Sequence, residues 1–112
     1  MSGNLKRLAG PAYVGAAAAN IYNPATNIIG VVFHIRLVNK DTVQRTVTLY
    51  VGATGGSAGG TEILKDWPIA VGGEKDVYFP KGLRMTASDF LTGIASAASA
   101  VTQMVMGDER AA

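Results

Sequence analysis

Two segments near the middle of the chain alternate between apolar and other side chains, and this alternation limits the fold more than any other feature of the sequence. In residues 28–38 the positions expected to face a core are Val31, Phe33, Ile35 and Leu37. In residues 45–51 the corresponding positions are Val47, Leu49 and Val51. A period of two with β-branched and aromatic residues predicts two strands, each with one buried face. The connecting residues 39–44 are rich in turn formers, which predicts that the two strands form an antiparallel hairpin.

The rest of the chain consists of short alternating pieces separated by glycine or proline. Three of these pieces lie within residues 63–69, 75–80 and 83–87. Such spacing is typical of a sandwich or jelly roll and not of βαβ units. Pro68 and Pro80 have no N–H to donate, so we expect them at strand ends or on an edge strand. The sequence therefore predicts an all-β fold, an antiparallel β-sandwich resembling a jelly roll, in a single domain.

Both ends of the chain are less regular than its middle. Residues 1–11 are polar, carry Lys6 and Arg7, and end in Gly10-Pro11, which stops a helix before it begins. They predict an extended N-terminal arm, followed by a β-sandwich domain over residues 12–112. Near the other end, a run of alanine and serine over residues 94–100 predicts a loop that leads into a final strand over residues 101–106.

Composition excludes several classes of function. The chain has 112 residues, enough for one domain with its own core, and no cysteine, so disulfides, thiolate-zinc sites and cysteine nucleophiles are excluded. Its net charge of +2 comes from scattered residues, which does not favour a nucleic-acid partner. No stretch has the roughly 18 consecutive apolar residues of a membrane helix, so no membrane partner is expected. Only 16% of residues are charged, against about 25% in an ordinary domain, which favours a surface covered by other chains.

A glycine-rich run over residues 52–61 invites comparison with a phosphate-binding loop. A P-loop requires a lysine and a serine or threonine after its last glycine, at the start of a helix. Here Gly60 is followed by Thr61 and Glu62, without a helical pattern behind them. The run is therefore interpreted as a hairpin loop whose glycines permit positive φ.

No other motif indicates catalysis, a metal or a cofactor. His34 is the only histidine and has no nearby cluster of acidic residues, so we expect a hydrogen-bonded histidine on a partly covered sheet face. The acidic residues lie mostly in predicted turns, and no serine has the context of a nucleophile elbow. We expect a protein that is not an enzyme.

Large side chains on faces that the alternation would expose remain as candidates for a protein interface, since such groups are enriched there. These are Tyr50, Trp67, Tyr78, Met104 and Met106. For each one, a place in the second wall of a sandwich core is an equally good interpretation. With the basic arm residues, the predicted partner-contacting residues are Lys6, Arg7, Tyr50, Trp67 and Tyr78.

Several strings resemble a known family when taken in order. They are Ile35-Arg-Leu-Val-Asn39, Val47-Thr-Leu-Tyr-Val-Gly52, Gly60-Thr61, Gly72-Gly73, Leu83 and Asp89-Phe-Leu, followed by a closing Ala-Val-Thr strand. Over residues 20–107 this pattern resembles small β-sandwich virion proteins of tailed bacteriophages. These include capsid cement (decoration) proteins and related tail or fibre accessories.

The resemblance implies a structural role without catalysis or cofactor. It implies a cement protein that is made in the host cytoplasm, binds the major capsid protein on the outside of the phage head in many copies, and is itself a trimer or dimer. A tail, baseplate or fibre accessory is the alternative within the same class. A more distant alternative is a carbohydrate-binding module, in which Tyr50, Trp67 and Tyr78 would form a platform for sugar rings.

Overall fold

The described part of the chain folds into eight β-strands. A computed structural model describes residues 6–53 and 61–112, which form two four-stranded sheets. The strands are β1 (Lys6–Tyr13), β2 (Ala19–Tyr22), β3 (Ile28–Asn39), β4 (Arg45–Gly52), β5 (Glu62–Ile69), β6 (Glu74–Met85), β7 (Phe90–Ala95) and β8 (Val101–Ala111). All paired strands are antiparallel.

The strand order confirms the predicted sandwich. The first sheet has the order β1-β8-β3-β6 and the second has the order β2-β7-β4-β5. Consecutive strands therefore alternate between the sheets, except for β4 and β5, which are neighbours in the second sheet. Eight antiparallel strands in two sheets with this alternation are the jelly-roll arrangement. The glycine-rich run connects β4 to β5, as expected for a hairpin loop, but its residues 54–60 lie outside the described residues.

The predicted hairpin between the first two long strands is wrong. β3 pairs with β6 and β8 in the first sheet, whereas β4 pairs with β5 and β7 in the second. Asn39, which is fully buried, lies where the connection crosses between the sheets. Its side-chain amide donates to the carbonyl oxygens of Val43 and Ile69, each at 2.9 Å. Alternation shows which face of a strand is buried, but it does not show which strand lies beside it.

The core lies between the sheets and is formed by the inward side of every long strand. Its fully buried side chains are Val32, Ile35, Leu37, Leu49, Met85, Leu91, Ala100, Val101 and Val105. The predicted inward set on β3 holds at Ile35 and Leu37 but shifts by one residue before them. A bulge between Val32 and His34 places Val32 in the core. Val31 is buried as predicted but lies outside the core cluster, and Phe33 is only partly buried. Burial of these side chains supplies the main driving force for folding.

The edges of the sheets carry irregular strands. Pro68 lies in β5 and Pro80 in β6, which are both edge strands, as predicted. Residues 6–11 of the predicted arm form most of β1, which pairs with β8 through two register shifts. Gly10 has a φ of +72°, and a Cβ there would collide with the backbone carbonyl oxygen of Gln103. Bulges and prolines on edge strands limit uncontrolled pairing with other chains.

One polar contact ties the two sheets together near the start of β1. The hydroxyl of Tyr22, on β2, donates to Glu109 Oε2 on β8 at 2.6 Å. Lys6 Nζ donates to the other oxygen of the same carboxylate at 2.9 Å. Gly30 leaves room for the tyrosine, since a Cβ there would collide with the hydroxyl group. We call Tyr22, Glu109 and Lys6 the inter-sheet clamp.

Candidate functional site

The outer face of the first sheet brings together side chains that lie far apart in the sequence. The register places Arg7 of β1 beside Met106 of β8, Met106 beside His34 of β3, and His34 beside Tyr78 of β6. These four residues form a row across all four strands, which we call the outer row. Arg7 and Tyr78 are exposed, whereas Met106 and His34 are half-buried. The flanking residues of β3 and β8, Ile35 and Val105, point into the core, so the alternation of each strand turns the outer row away from it.

Three charged residues beside the outer row, Arg36, Asp76 and Glu74, fix its geometry, and we call them the second row. His34 Nε2 lies 2.8 Å from Asp76 Oδ1, and Arg36 Nη1 donates to both oxygens of the same carboxylate at 3.0 Å. Arg36 also donates to Glu74 through Nη2 at 2.7 Å. The ring of His34 stacks on that of Tyr78, with centroids 4.5 Å apart and an angle of 5° between the planes. The histidine is thus hydrogen-bonded on a partly covered sheet face, as predicted.

These contacts hold the charges of the second row in place. The hydrogen bond with His34, followed by those from Arg36, lowers the pKa of Asp76 below its ordinary value. The hydrogen bond to Asp76 raises the pKa of Arg36 in turn. The carboxylate and the guanidinium therefore stay charged across the ordinary pH range. The Asp76 carboxylate keeps the imidazole ring oriented beside Tyr78, which is 65% exposed.

The outer row suits recognition of a protein surface. It offers an aromatic ring held by stacking, a flexible thioether and an exposed guanidinium on one side of one sheet. Tyrosine, methionine and arginine are the residue types enriched in protein interfaces. A large ring fixed before binding loses little conformational freedom when a partner covers it.

The structure separates the five predicted partner-contacting residues. Only Arg7 and Tyr78 share the outer row. Lys6 belongs to the inter-sheet clamp. Tyr50 lies on the outer face of the second sheet and is half-buried. Trp67 lies on β5, where Lys75 Nζ of β6 sits 4.2 Å from its ring centroid.

The sugar-stacking platform predicted for the carbohydrate-binding alternative does not form. Tyr50 and Tyr78 lie on opposite outer faces of the sandwich. Trp67 lies between the sheets at the edge that β5 and β6 form, because its register partner Val47 points into the core. Stacking of several sugar rings needs aromatic side chains on one surface, and these three do not share one.

Sequence reasoning did not place Arg36 and Asp76 in the site. Arg36 alternates with the core residues of β3, so its outward direction was readable from the sequence. Its pairing with Asp76 was not readable, because it requires the register between β3 and β6. Met106 was singled out only as a large residue, and its place beside Arg7 depends on the pairing of the first strand with the last one.

Comparisons with protein-family models, with curated proteins and with solved structures find no match to this chain. Within residues 6–53 and 61–112, no group of three or more histidine, aspartate or glutamate side chains is arranged to hold a metal ion. The same residues include no helix long and apolar enough to cross a membrane.

Proposed function

We propose that this chain is a non-enzymatic virion structural protein, a capsid cement protein that binds the outside of a tailed-phage head and stabilises it. Its partner in this proposal is the major capsid protein, and the outer row is the surface that contacts the shell. The observation that carries the proposal is the alignment of Arg7, Met106, His34 and Tyr78 in one register row. Two further features support it: the low proportion of charged residues and the sequence resemblance to phage virion proteins.

A weak contact repeated many times would be enough for such a role. Any protein that binds the assembled shell and not its separate subunits stabilises the shell by mass action. Copies that also contact one another gain from high local concentration. An outer row with a few interface-type side chains fits this mode of binding. The fold adds limited support, because jelly rolls occur in viral capsid proteins but also in lectins and enzymes.

The proposal is tested by sedimenting the purified chain with empty tailed-phage shells that lack it. We expect the chain to move with the shells at a fixed, high number of copies per particle. Replacing Tyr78 by serine removes the exposed ring and leaves the core unchanged. We expect this variant to bind at least tenfold more weakly, which corresponds to about 1.4 kcal/mol.

Tyr50→Ser is the matched control, since it removes a tyrosine from the outer face of the other sheet. It should bind shells like the original chain. Equal losses for both variants would show that the outer row is not the contact surface. Absence of the original chain from the shell fraction would contradict the cement role itself.

A tail, baseplate or fibre accessory remains the alternative within the same class. The copy number per virion separates the two roles, because a cement protein covers the shell in many copies and a tail accessory is present in few. Quantitative mass spectrometry of purified virions measures this number directly. A low copy number together with binding to isolated tails would favour the accessory role.

A further inference from the structure

The two edges of the sandwich, where the gap between the sheets meets solvent, are covered differently. At the side formed by β5 and β6, Trp67 and Lys75 stack across the gap between the sheets. At the opposite side, β1 and β2 leave an open cleft with a volume of about 400 Å³. Small residues such as Ala9, Ala12 and Gly93 line much of this cleft. Its volume lies in the range of small-ligand pockets, roughly 300–1,000 Å³.

One buried polar group lines the cleft without a partner. Gln103 of β8 is 5% exposed, and its Oε1 atom is buried and accepts no hydrogen bond from residues 6–53 or 61–112. No hydrogen bond to any atom of its side chain is found among the described residues. Gly10 lies close above it, since a Cβ built there would lie 3.1 Å from Oε1. An unpaired buried carbonyl oxygen is costly in free energy, so it either has a partner from outside the chain or requires another explanation.

The surroundings of Gln103 define what such a partner must be. The side chains of Val14, Ile21 and Ala9 give an apolar body a surface to pack against, in a lining that also contains many polar atoms. The free oxygen requires an N–H or O–H group on that body. We propose that the cleft between β1 and β2 binds a compact apolar group that carries one hydrogen-bond donor, such as an indole or a phenol. A rotation of the Gln103 side chain brings its buried Oε1 atom to this donor, and the ring lies between the two edge strands.

The probe for this site is indole, titrated into the isotope-labelled chain and followed by the amide signals in NMR spectra. Indene is the matched control, because it has nearly the same shape as indole and no N–H. We expect indole to shift the signals of the cleft residues, including Val14, Gly93 and Gln103. We expect indene to shift the same signals with an affinity about five- to tenfold weaker, the difference made by one neutral hydrogen bond.

Two variants make the test specific. Gln103→Leu keeps an apolar wall and removes the acceptor, so indole and indene should bind it equally. Continued binding of indene also reports that this variant is folded. Ala12→Phe fills the cleft at the register partner of Gln103 and should abolish binding of both compounds. A preference for indole that survives in Gln103→Leu, or shifts that do not concentrate at the cleft, would overturn the proposal.

The group could come from an aromatic side chain of a neighbouring protein or from a free small molecule. This distinction rests on the proposed function and uses the shell-binding assay with Ala12→Phe. Loss of shell binding would assign the occupant to a side chain of the shell, and unchanged binding would assign it to a free molecule. If the original chain fails to bind shells, the cement role fails while the indole titration still decides the existence of the site.

Discussion

Tyr22→Phe tests whether the inter-sheet clamp stabilises the sandwich. The change removes one hydroxyl and leaves the ring, which is only 6% exposed, in its place. The hydroxyl donates to the Glu109 carboxylate at 2.6 Å, and this hydrogen bond contributes most to lowering the pKa of Glu109. Burial contributes most to raising the pKa of Tyr22, so the phenol stays protonated. We expect the variant to be less stable than the original chain.

The size of the effect follows from the partners that remain. A hydrogen bond to a charged group contributes about 1.5–3 kcal/mol to stability. The Glu109 carboxylate keeps its contact with Lys6, and 27% of its side chain reaches solvent, so water replaces part of the lost bond. We therefore expect a loss of about 1–2 kcal/mol, which lowers the melting temperature of a domain of this size by about 4–10 °C.

The assay is urea unfolding at pH 7, followed by the fluorescence of Trp67, the only tryptophan. Tyr50→Phe is the control, because the hydroxyl of Tyr50 has no hydrogen-bond partner within the described residues. This variant should change stability by less than about 0.5 kcal/mol. A double-mutant cycle of Tyr22→Phe with Glu109→Ala should give a coupling energy of about 1 kcal/mol. Additive effects in that cycle would refute the reasoning, since the hydroxyl and the carboxylate would then act independently.

Three further predictions concern the core, the crossing connection and the outer face. Leu49→Ala should cost about 3–5 kcal/mol in urea unfolding, because Leu49 is fully buried between the sheets, and a loss below about 1 kcal/mol would contradict its core position. Asn39→Ala should cost about 2–4 kcal/mol in the same assay, because the buried carbonyl oxygen of Ile69 and the partly buried one of Val43 lose their donor; a neutral result would show that the crossing does not depend on it. The pKa of Asp76 is lowered, so its contribution to stability is complete above its unfolded pKa of about 3.9 and is lost as pH falls through the folded value. Stability measured between about pH 5 and pH 2 should therefore fall less steeply for Asp76→Asn than for the original chain, and equal slopes would contradict the pairing with His34 and Arg36.

The strands were predictable because their signal is local. The period of two locates β3 and β4 to within a residue at each end, since alternate side chains must face opposite sides of a sheet. Which strands pair is a property of the whole chain. The side-chain amide of Asn39, at the crossing, donates to the carbonyl oxygens of Val43 and Ile69, and no short sequence pattern predicts these contacts.

The candidate site was predictable only in part for the same reason. The exposure of Tyr78 followed from alternation within β6. Its alignment with Arg7 required the register of four strands, two of which come from opposite ends of the chain. The bulge between Val32 and His34 interrupts the register with both neighbouring strands, β6 and β8, and the alternation within β3 did not predict it.

The pairing of the first strand with the last one affects how the chain must fold. Among the described strands, β1 pairs only with β8, so its backbone groups find their hydrogen bonds only after β8 has been made. Contacts between such distant segments carry a high entropic cost before they contribute any stability, which slows folding. A ribosome-bound chain that lacks β8 would also lack the strand that lies between β1 and β3. Folding of the first sheet is therefore expected to wait until β8 has been synthesised, and chains that lack β1 or β8 should remain open to proteolysis.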